Sequence, residues 1–145
     1  WATYGIPNDI GTLIVGYNTT FQRSSDLGRQ MNQVFVGIPF GILRRKLKYL
    51  CEMNGIRYVE QEESYTSMAS FWDLDEMPVY GEAGLVPPVF SGRRICRGLY
   101  QDRSGRRINA DVNGALNIMR KCNIVSLRAL YDRGDVDTPV RIRIA

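Results

Sequence analysis

The side chains in this sequence able to do chemistry are carboxylates and guanidinium groups. Histidine is absent. That excludes Ser-His and Cys-His nucleophilic sites, histidine general bases and histidine-ligated zinc. Cys51, Cys96 and Cys122 stand apart with no CxxC pair, and their odd number argues against a disulfide framework. They read as reduced thiols in a cytoplasmic setting. Hydrolysis, if any, would rest on acids acting with a divalent metal.

Two carboxylate groups stand out. Glu60-Gln61-Glu62-Glu63 ends an apolar run, and strand alternation puts Glu60 and Glu62 on one face, Gln61 and Glu63 on the other. A carboxylate leaving a strand end into a crevice is where open α/β sheets place their chemistry, with a polar strand terminus in solvent as the plain alternative. Asp111, in Asn109-Ala110-Asp111-Val112-Asn113, falls in the first turn of a helix, where a carboxylate complements the dipole. Paired with an acid from the strand, it could hold Mg²⁺, which takes one or two carboxylates plus phosphate oxygens. Asp73, Asp75 and Glu76 lack the glycine and closing glutamate of a calcium loop and read as a surface turn.

The basic residues are lopsided, sixteen Arg against three Lys, with a net charge of +4. They concentrate in Arg93-Arg94-Ile95-Cys96-Arg97-Gly98-Leu99-Tyr100-Gln101-Asp102-Arg103-Ser104-Gly105-Arg106-Arg107. Arginine forks match phosphate oxygens, and an interleaved tyrosine could stack on a base. Arg93, Arg94, Arg97, Tyr100, Arg106 and Arg107 are therefore the expected nucleic-acid contacts, with a solvated basic loop as the plain alternative.

Certain elements must position these groups. The chain has 145 residues, 44% of them hydrophobic, enough for one core with appendages. No apolar run approaches the roughly 20 residues needed to cross a bilayer, so no membrane partner is expected. Gly11–Tyr17 reads as a buried strand. Asn18–Gln33 is a polar excursion. Val34–Asn54 reads as a helix, with Pro39 at its first position, Phe40, Leu43, Leu47 and Leu50 on one face and Asn54-Gly55 at its end. Arg44, Arg45 and Lys48 take the other face. Ile56–Gln61 reads as the next strand, so strand–helix–strand with parallel neighbours is expected. Ser64–Ile108 is broken by Met77-Pro78, Gly81, Gly84 and Pro87-Pro88 and reads as an irregular functional insertion. Asn109–Asn123 reads as a helix with Asn109 as N-cap. Arg128–Asp137 reads as a loose polar stretch, and Pro139–Ile144 as an edge strand or tail.

Several motifs in this order resemble one family. They are Leu13-Ile14-Val15-Gly16-Tyr17-Asn18, Asn32-Gln33-Val34-Phe35, Ile38-Pro39-Phe40, Glu62-Glu63-Ser64-Tyr65-Thr66-Ser67, Phe90-Ser91-Gly92-Arg93-Arg94-Ile95 with Arg97-Gly98-Leu99-Tyr100, and Ile108-Asn109-Ala110-Asp111-Val112-Asn113-Gly114-Ala115. The chain resembles the C-terminal part of TnpB/OrfB proteins, transposon-encoded RNA-guided DNA endonucleases related to type V CRISPR effectors and to Fanzor proteins, and commonly described as transposases.

The resemblance implies an α/β, RNase H-like (RuvC) fold present in part, cutting DNA phosphodiesters with Mg²⁺ under a guide RNA. It implies later RuvC strands and helix over 11–63, a target-nucleic-acid-binding insertion over 64–108, the last RuvC helix over 109–123 and a C-terminal tail over 124–145. It implies DNA and guide RNA as partners and a prokaryotic, nucleoid-associated setting. Asp111 matches the third catalytic acid. The usual second acid falls at Gly16, which has no carboxylate; some branches move it to the following strand, which makes Glu63 the candidate and Glu62 the reserve. Asp9 mimics the start of a catalytic strand, but no apolar strand precedes it, so it reads as a loop. The family's insertion carries four zinc cysteines; Thr66-Ser67-Met68-Ala69-Ser70 keeps the Thr-Ser without a CxxC, so no zinc is expected. Packing of Phe71, Trp72, Tyr80, Phe90 and Tyr100 is expected to hold the insertion instead. The first catalytic Asp would lie upstream of a chain that opens on Trp1 without an initiator Met. The chain is thus expected to be a fragment, inactive alone, or else a non-catalytic nucleic-acid-binding remnant of a decayed transposon protein.

Overall fold

A computed structural model describes residues 10–18, 40–79, 81 and 87–133. The chain divides into two compact units, Trp1–Glu60 and Gln61–Ala145.

In the first unit the β-branched run forms β1 (Thr12–Tyr17), followed by α1 (Phe40–Met53) and β2 (Arg57–Glu62), whose last two residues belong to the second unit. β1 and β2 are hydrogen-bonded neighbours, as the strand–helix–strand reading requires. α1 stops at Asn54-Gly55 because Gly55 takes φ +66°, a conformation costly for a side chain, and the Ile56 N–H then closes on Cys51 O at 2.9 Å. Arg44 does not simply face solvent. Its Nε lies 3.2 Å from the Glu60 carboxylate, which also accepts from the Tyr58 hydroxyl at 3.0 Å. Its guanidinium stands 5.6 Å from the Tyr17 ring centre, so one arginine ties α1 to both strands. Phe40 and Leu43, expected on the inward face, are each 46% exposed. Among the described residues of α1 only Cys51 is fully buried. The expectations for Asp9, 19–39, Tyr80 and Pro139–Ile144 lie outside the described residues.

The second unit corrects the reading of 64–108 as irregular throughout. It holds a three-stranded antiparallel sheet in the order β3 (Arg93–Cys96), β4 (Leu99–Gln101), β5 (Arg107–Asn109). Helix α2 (Ala110–Cys122) leaves β5 directly. A short helix, α3 (Arg128–Arg133), replaces the loose stretch expected there. It forms because Leu130 and Tyr131 pack against the core of Phe71, Tyr100, Ile108, Ala110, Leu116 and Leu127. The Tyr131 ring stacks on Phe71 with centres 4.8 Å apart, while Trp72 meets Phe71 edge-on at 5.2 Å. Of the aromatics expected to hold the insertion, Phe71 and Tyr100 are core, Trp72 leans on it, and Phe90 packs on Tyr65 with centres 5.8 Å apart.

α2 starts where Asn109 Oδ1 accepts the N–H groups of Asp111 and Val112, at 2.9 and 3.1 Å. It ends with Asn123 in the left-handed region. Its inward face is not wholly apolar. Asn113 and Asn117, both fully buried, bond the backbone of the 66–71 segment. Asn113 Oδ1 accepts from Phe71 N–H at 3.1 Å and its Nδ2 donates to Ala69 O at 2.9 Å. Asn117 Nδ2 donates to Thr66 O and Ala69 O at 2.9 and 2.8 Å. The acids read as a surface turn are in fact staples. Asp75 accepts from the N–H groups of Ser70 and Ser91 and from the Ser91 hydroxyl, and Asp73 accepts from Arg103 N–H at 2.9 Å. Main-chain donors of an insertion short of regular structure must go somewhere, and these carboxylates take them.

Candidate nucleic-acid interface

The register of the small sheet decides where the basic residues point. Arg93 pairs with Gln101, and Gln101 with Arg107. Directly paired residues share a face, so these three form one row across the sheet. The opposite register pairs Arg94 with Tyr100 and Tyr100 with Ile108. That face is the core side: Tyr100 and Ile108 are each 1% exposed. The outer row is therefore guanidinium, amide, guanidinium. Its ends lie roughly 10 Å apart, two strand spacings. Arg94, on exposed β3, and Arg97, in the β3–β4 turn, add charge at the margin.

The second turn is fixed by Asp102. Its Oδ1 accepts from Arg106 N–H and the Ser104 hydroxyl, both at 2.8 Å, and its own N–H meets Arg106 O at 3.0 Å. The Arg106 guanidinium sits 4.5 Å from the Trp72 ring centre, so its direction is set before any ligand arrives. Arg93, Arg94, Arg97, Arg103, Arg106 and Arg107 are all exposed, and none forms an ion pair among the described residues. Arg103 belongs to the same sequence run but was not singled out; its place in the Asp102–Arg106 turn is the signal that would have marked it.

Tyr100 is a correction. It was expected to stack on bases, but its ring is buried and its hydroxyl donates to Met68 O at 2.8 Å. Burial, and then the nearby Asp75, Asp73 and Asp102 charges, push its hydroxyl up to about 12. It supports the basic row from beneath and offers no face to a ligand.

A cleft of about 510 Å³ opens beside this row, lined by Phe90, Gly92, Arg93, Gln101 and Arg103 among others. Its Gly92 is a close approach: a Cβ there would fall 2.6 Å from Gln101 O and from the Tyr100 ring. Backbone and core ring cannot both give way. Gly92→Ala is expected to cost about 1–3 kcal/mol, the usual range for overpacking, seen as a lower urea midpoint.

The acids separate. Glu62 is committed: Lys121 Nζ donates to its Oε2 at 2.6 Å, and also to Ser64 O and Pro78 O at 3.2 and 3.3 Å. Burial raises the Glu62 carboxyl, but the bonds from Lys121 and Ser64 outweigh it and the net shift is downward. Glu63 is half-buried, and its carboxylate has no hydrogen bond or ion pair among the described residues. Burial, followed by the Glu62 charge, raises its pKa. Asp111 is exposed in the first turn of α2. Lys121, which holds Glu62, lies ten residues further along that helix, about 15 Å by its rise. Glu62 and Asp111 are thus at opposite ends of α2. Among the described residues no three acidic, Cys or His side chains gather as a metal-holding group.

Comparison with known families agrees with the basic insertion. Residues 40–118, from the first residue of α1 to Ile118 in α2, match the family described as Cas12f1-like, TNB domain. The chain belongs to the Cas12f1-like TNB domain family. No individually curated protein matches it. The matched span of this TNB domain contains the whole of β3–β5, the cleft and the Asp73–Asp75 staples. Family and geometry together make it a TnpB/Cas12-type nucleic-acid-binding protein with a mixed α/β fold. No described helix is long and apolar enough to cross a membrane.

Proposed function

We propose that this chain is the target-nucleic-acid-binding part of an RNA-guided DNA endonuclease of the TnpB type. The observation that carries the reading is the outward row Arg93–Gln101–Arg107, with Arg94, Arg97, Arg103 and Arg106 also exposed in the same run and no acid paired to any of them among the described residues. Guanidinium groups on a rigid sheet suit phosphate oxygens, because they are planar, permanently charged and weakly hydrated. Guide pairing would supply sequence, and this surface would hold backbone.

The test is binding of duplex DNA as salt is raised. The double variant Arg93→Gln/Arg107→Gln is expected to bind more weakly, with the slope of log K against log salt reduced by about 0.9 per lost phosphate contact. Weaker binding with an unchanged slope would sink the assignment, since the arginines would then act through something other than phosphate.

For cleavage, Glu63 and Asp111 are the candidate acids: Glu63 is unengaged among the described residues and Asp111 exposed, while Glu62 is tied to Lys121. They would bind Mg²⁺ together with a further acid, and the 145-residue chain alone is expected not to cut DNA. A second reading, a non-catalytic nucleic-acid binder, is favoured by Gly16 at the family's usual acid position and by the Glu62–Lys121 pair. Mg²⁺-dependent cleavage by this chain that Asp111→Ala abolishes would exclude that second reading and the expected inactivity together.

A further inference from the structure

From the cleft beside Gly92 we infer that this chain seats one unstacked nucleotide of a single strand, its phosphate between Arg93 and Arg103 and its base against Phe90. The inference rests on the nucleic-acid reading and narrows it to a strand type and a place. A volume of about 510 Å³ lies inside the roughly 300–1,000 Å³ of small-ligand sites. That is room for one nucleotide, and the open row beside it can still meet a duplex.

The wall chemistry is that of a nucleotide. Arg93 and Arg103 supply two guanidinium groups with no ion pair among the described residues. Phe90 supplies an aromatic surface, and its ring is braced by Tyr65 at 5.8 Å. Every base has a π-face, so such a contact tolerates any sequence. Asp102 itself lines the cleft, and it and the nearby Asp73 and Asp75 are already engaged in holding the wall. Asp102 serves the Arg106 N–H and Ser104, Asp75 serves Ser70 and Ser91, and Asp73 serves the Arg103 N–H. Bonding to Asp73 and Asp75 also fixes the backbone at Arg103 and Ser91 on two sides of the cleft. Gly92 lets this wall lie directly on the Gln101 backbone and the Tyr100 ring, where a Cβ would fall 2.6 Å away.

The test uses the whole chain with labelled single-stranded DNA, single-stranded RNA and duplex DNA. Phe90→Ala is expected to weaken single-strand binding roughly tenfold, the effect of losing one base–aromatic stack, and to leave duplex binding within about twofold. Phe90→Trp should restore it. Arg103→Gln, at an exposed position away from the core, should weaken single strands and lower their salt slope by about 0.7. Whichever single strand shows the Phe90 dependence identifies the natural strand. Equal losses on single strand and duplex, or none on either single strand, would overturn the cleft assignment. If Arg93→Gln/Arg107→Gln still lowers duplex binding in that case, the broader reading stands without it. Wild-type protein that binds none of the three at low salt overturns both.

Discussion

Asn113→Ala is expected to destabilise the Gln61–Ala145 unit by about 3 kcal/mol. The side chain is fully buried and answers two backbone groups, Phe71 N–H and Ala69 O. Ala69 O keeps its bond from Asn117. Phe71 N–H has no second acceptor among the described residues, so truncation leaves a buried donor unpaired, costing about 1–3 kcal/mol. A cavity beside Phe71 adds to this, because a close-packed core collapses only partly. Phe71 is central to the aromatic cluster with Trp72 and Tyr131, so the loss should reach the Trp72 environment. Urea unfolding followed by tryptophan fluorescence and near-ultraviolet circular dichroism would measure it. Asn113→Asp separates the two bonds. A carboxylate still accepts from Phe71 N–H but cannot donate to Ala69 O, and burial raises its pKa. Its folded pKa then exceeds the unfolded value of about 3.9. The variant should be less stable than Asn113→Ala at neutral pH and recover as pH falls through that raised pKa. An Asn113→Ala protein with an unchanged midpoint would mean the 66–71 segment is held from elsewhere.

The sequence made the local features legible and left the distant ones hidden. β1, α1 and β2 follow from a β-branched run, a helical repeat and an Asn-Gly stop, all read within a few residues. The Asn109 cap is equally local, since its acceptor reaches N–H groups two and three residues on. β3, β4 and β5 have four, three and three residues, too few to display an alternation, and their outward positions mix Arg93, Gln101 and Arg107 with Leu99 and Asn109. Only the register shows Tyr100 facing inward beneath Arg93 and Arg107. Asp75 and Ser91 are 16 residues apart, Asp73 and Arg103 30, Glu62 and Lys121 59. No spacing rule joins residues so far apart, so each acid was read by its neighbours alone. Asn113 and Asn117 left a trace. Two asparagines one turn apart on the stripe carrying Leu116 weaken a helix unless something buried needs them. On the candidate site, the Arg93–Arg107 run was visible as composition. Which arginines share a face, and that Tyr100 does not join them, depended on pairing.

Lys121→Met is the other change expected to cost about 3 kcal/mol at neutral pH, and its pH dependence should reverse. The Lys121 and Glu62 side chains are 11% and 17% exposed, and the ammonium is shared with Ser64 O and Pro78 O. Removing one partner of a mostly buried pair leaves the other charge stranded, a loss of about 3–5 kcal/mol when burial is complete. In the wild type the Glu62 pKa is lowered on folding, so the pair contributes its full stability above the unfolded glutamate value, about 4.3, and loses it as pH falls through the folded value. Without Lys121, only the Ser64 bonds oppose the effect of burial on Glu62, and its folded pKa is expected to rise above the unfolded one. Stability then increases as pH falls, because the neutral acid tolerates the site. Glu62→Gln added to Lys121→Met should recover much of the loss at pH 7, since no charge is left buried. Glu63→Gln gives the contrasting sign in the wild-type background. The Glu63 pKa is raised, so its ionised form opposes folding above the unfolded value. Its amide should stabilise the protein at pH 7 and bring no gain below about pH 4. Urea midpoints across pH for these variants separate the two neighbours: Glu62 holds the insertion to α2, whereas Glu63 carries an unpaired charge at a cost to stability. A Lys121→Met protein that still loses stability on acidification would show that the Ser64 bonds suffice to keep Glu62 ionised, and the role given to Lys121 would fall.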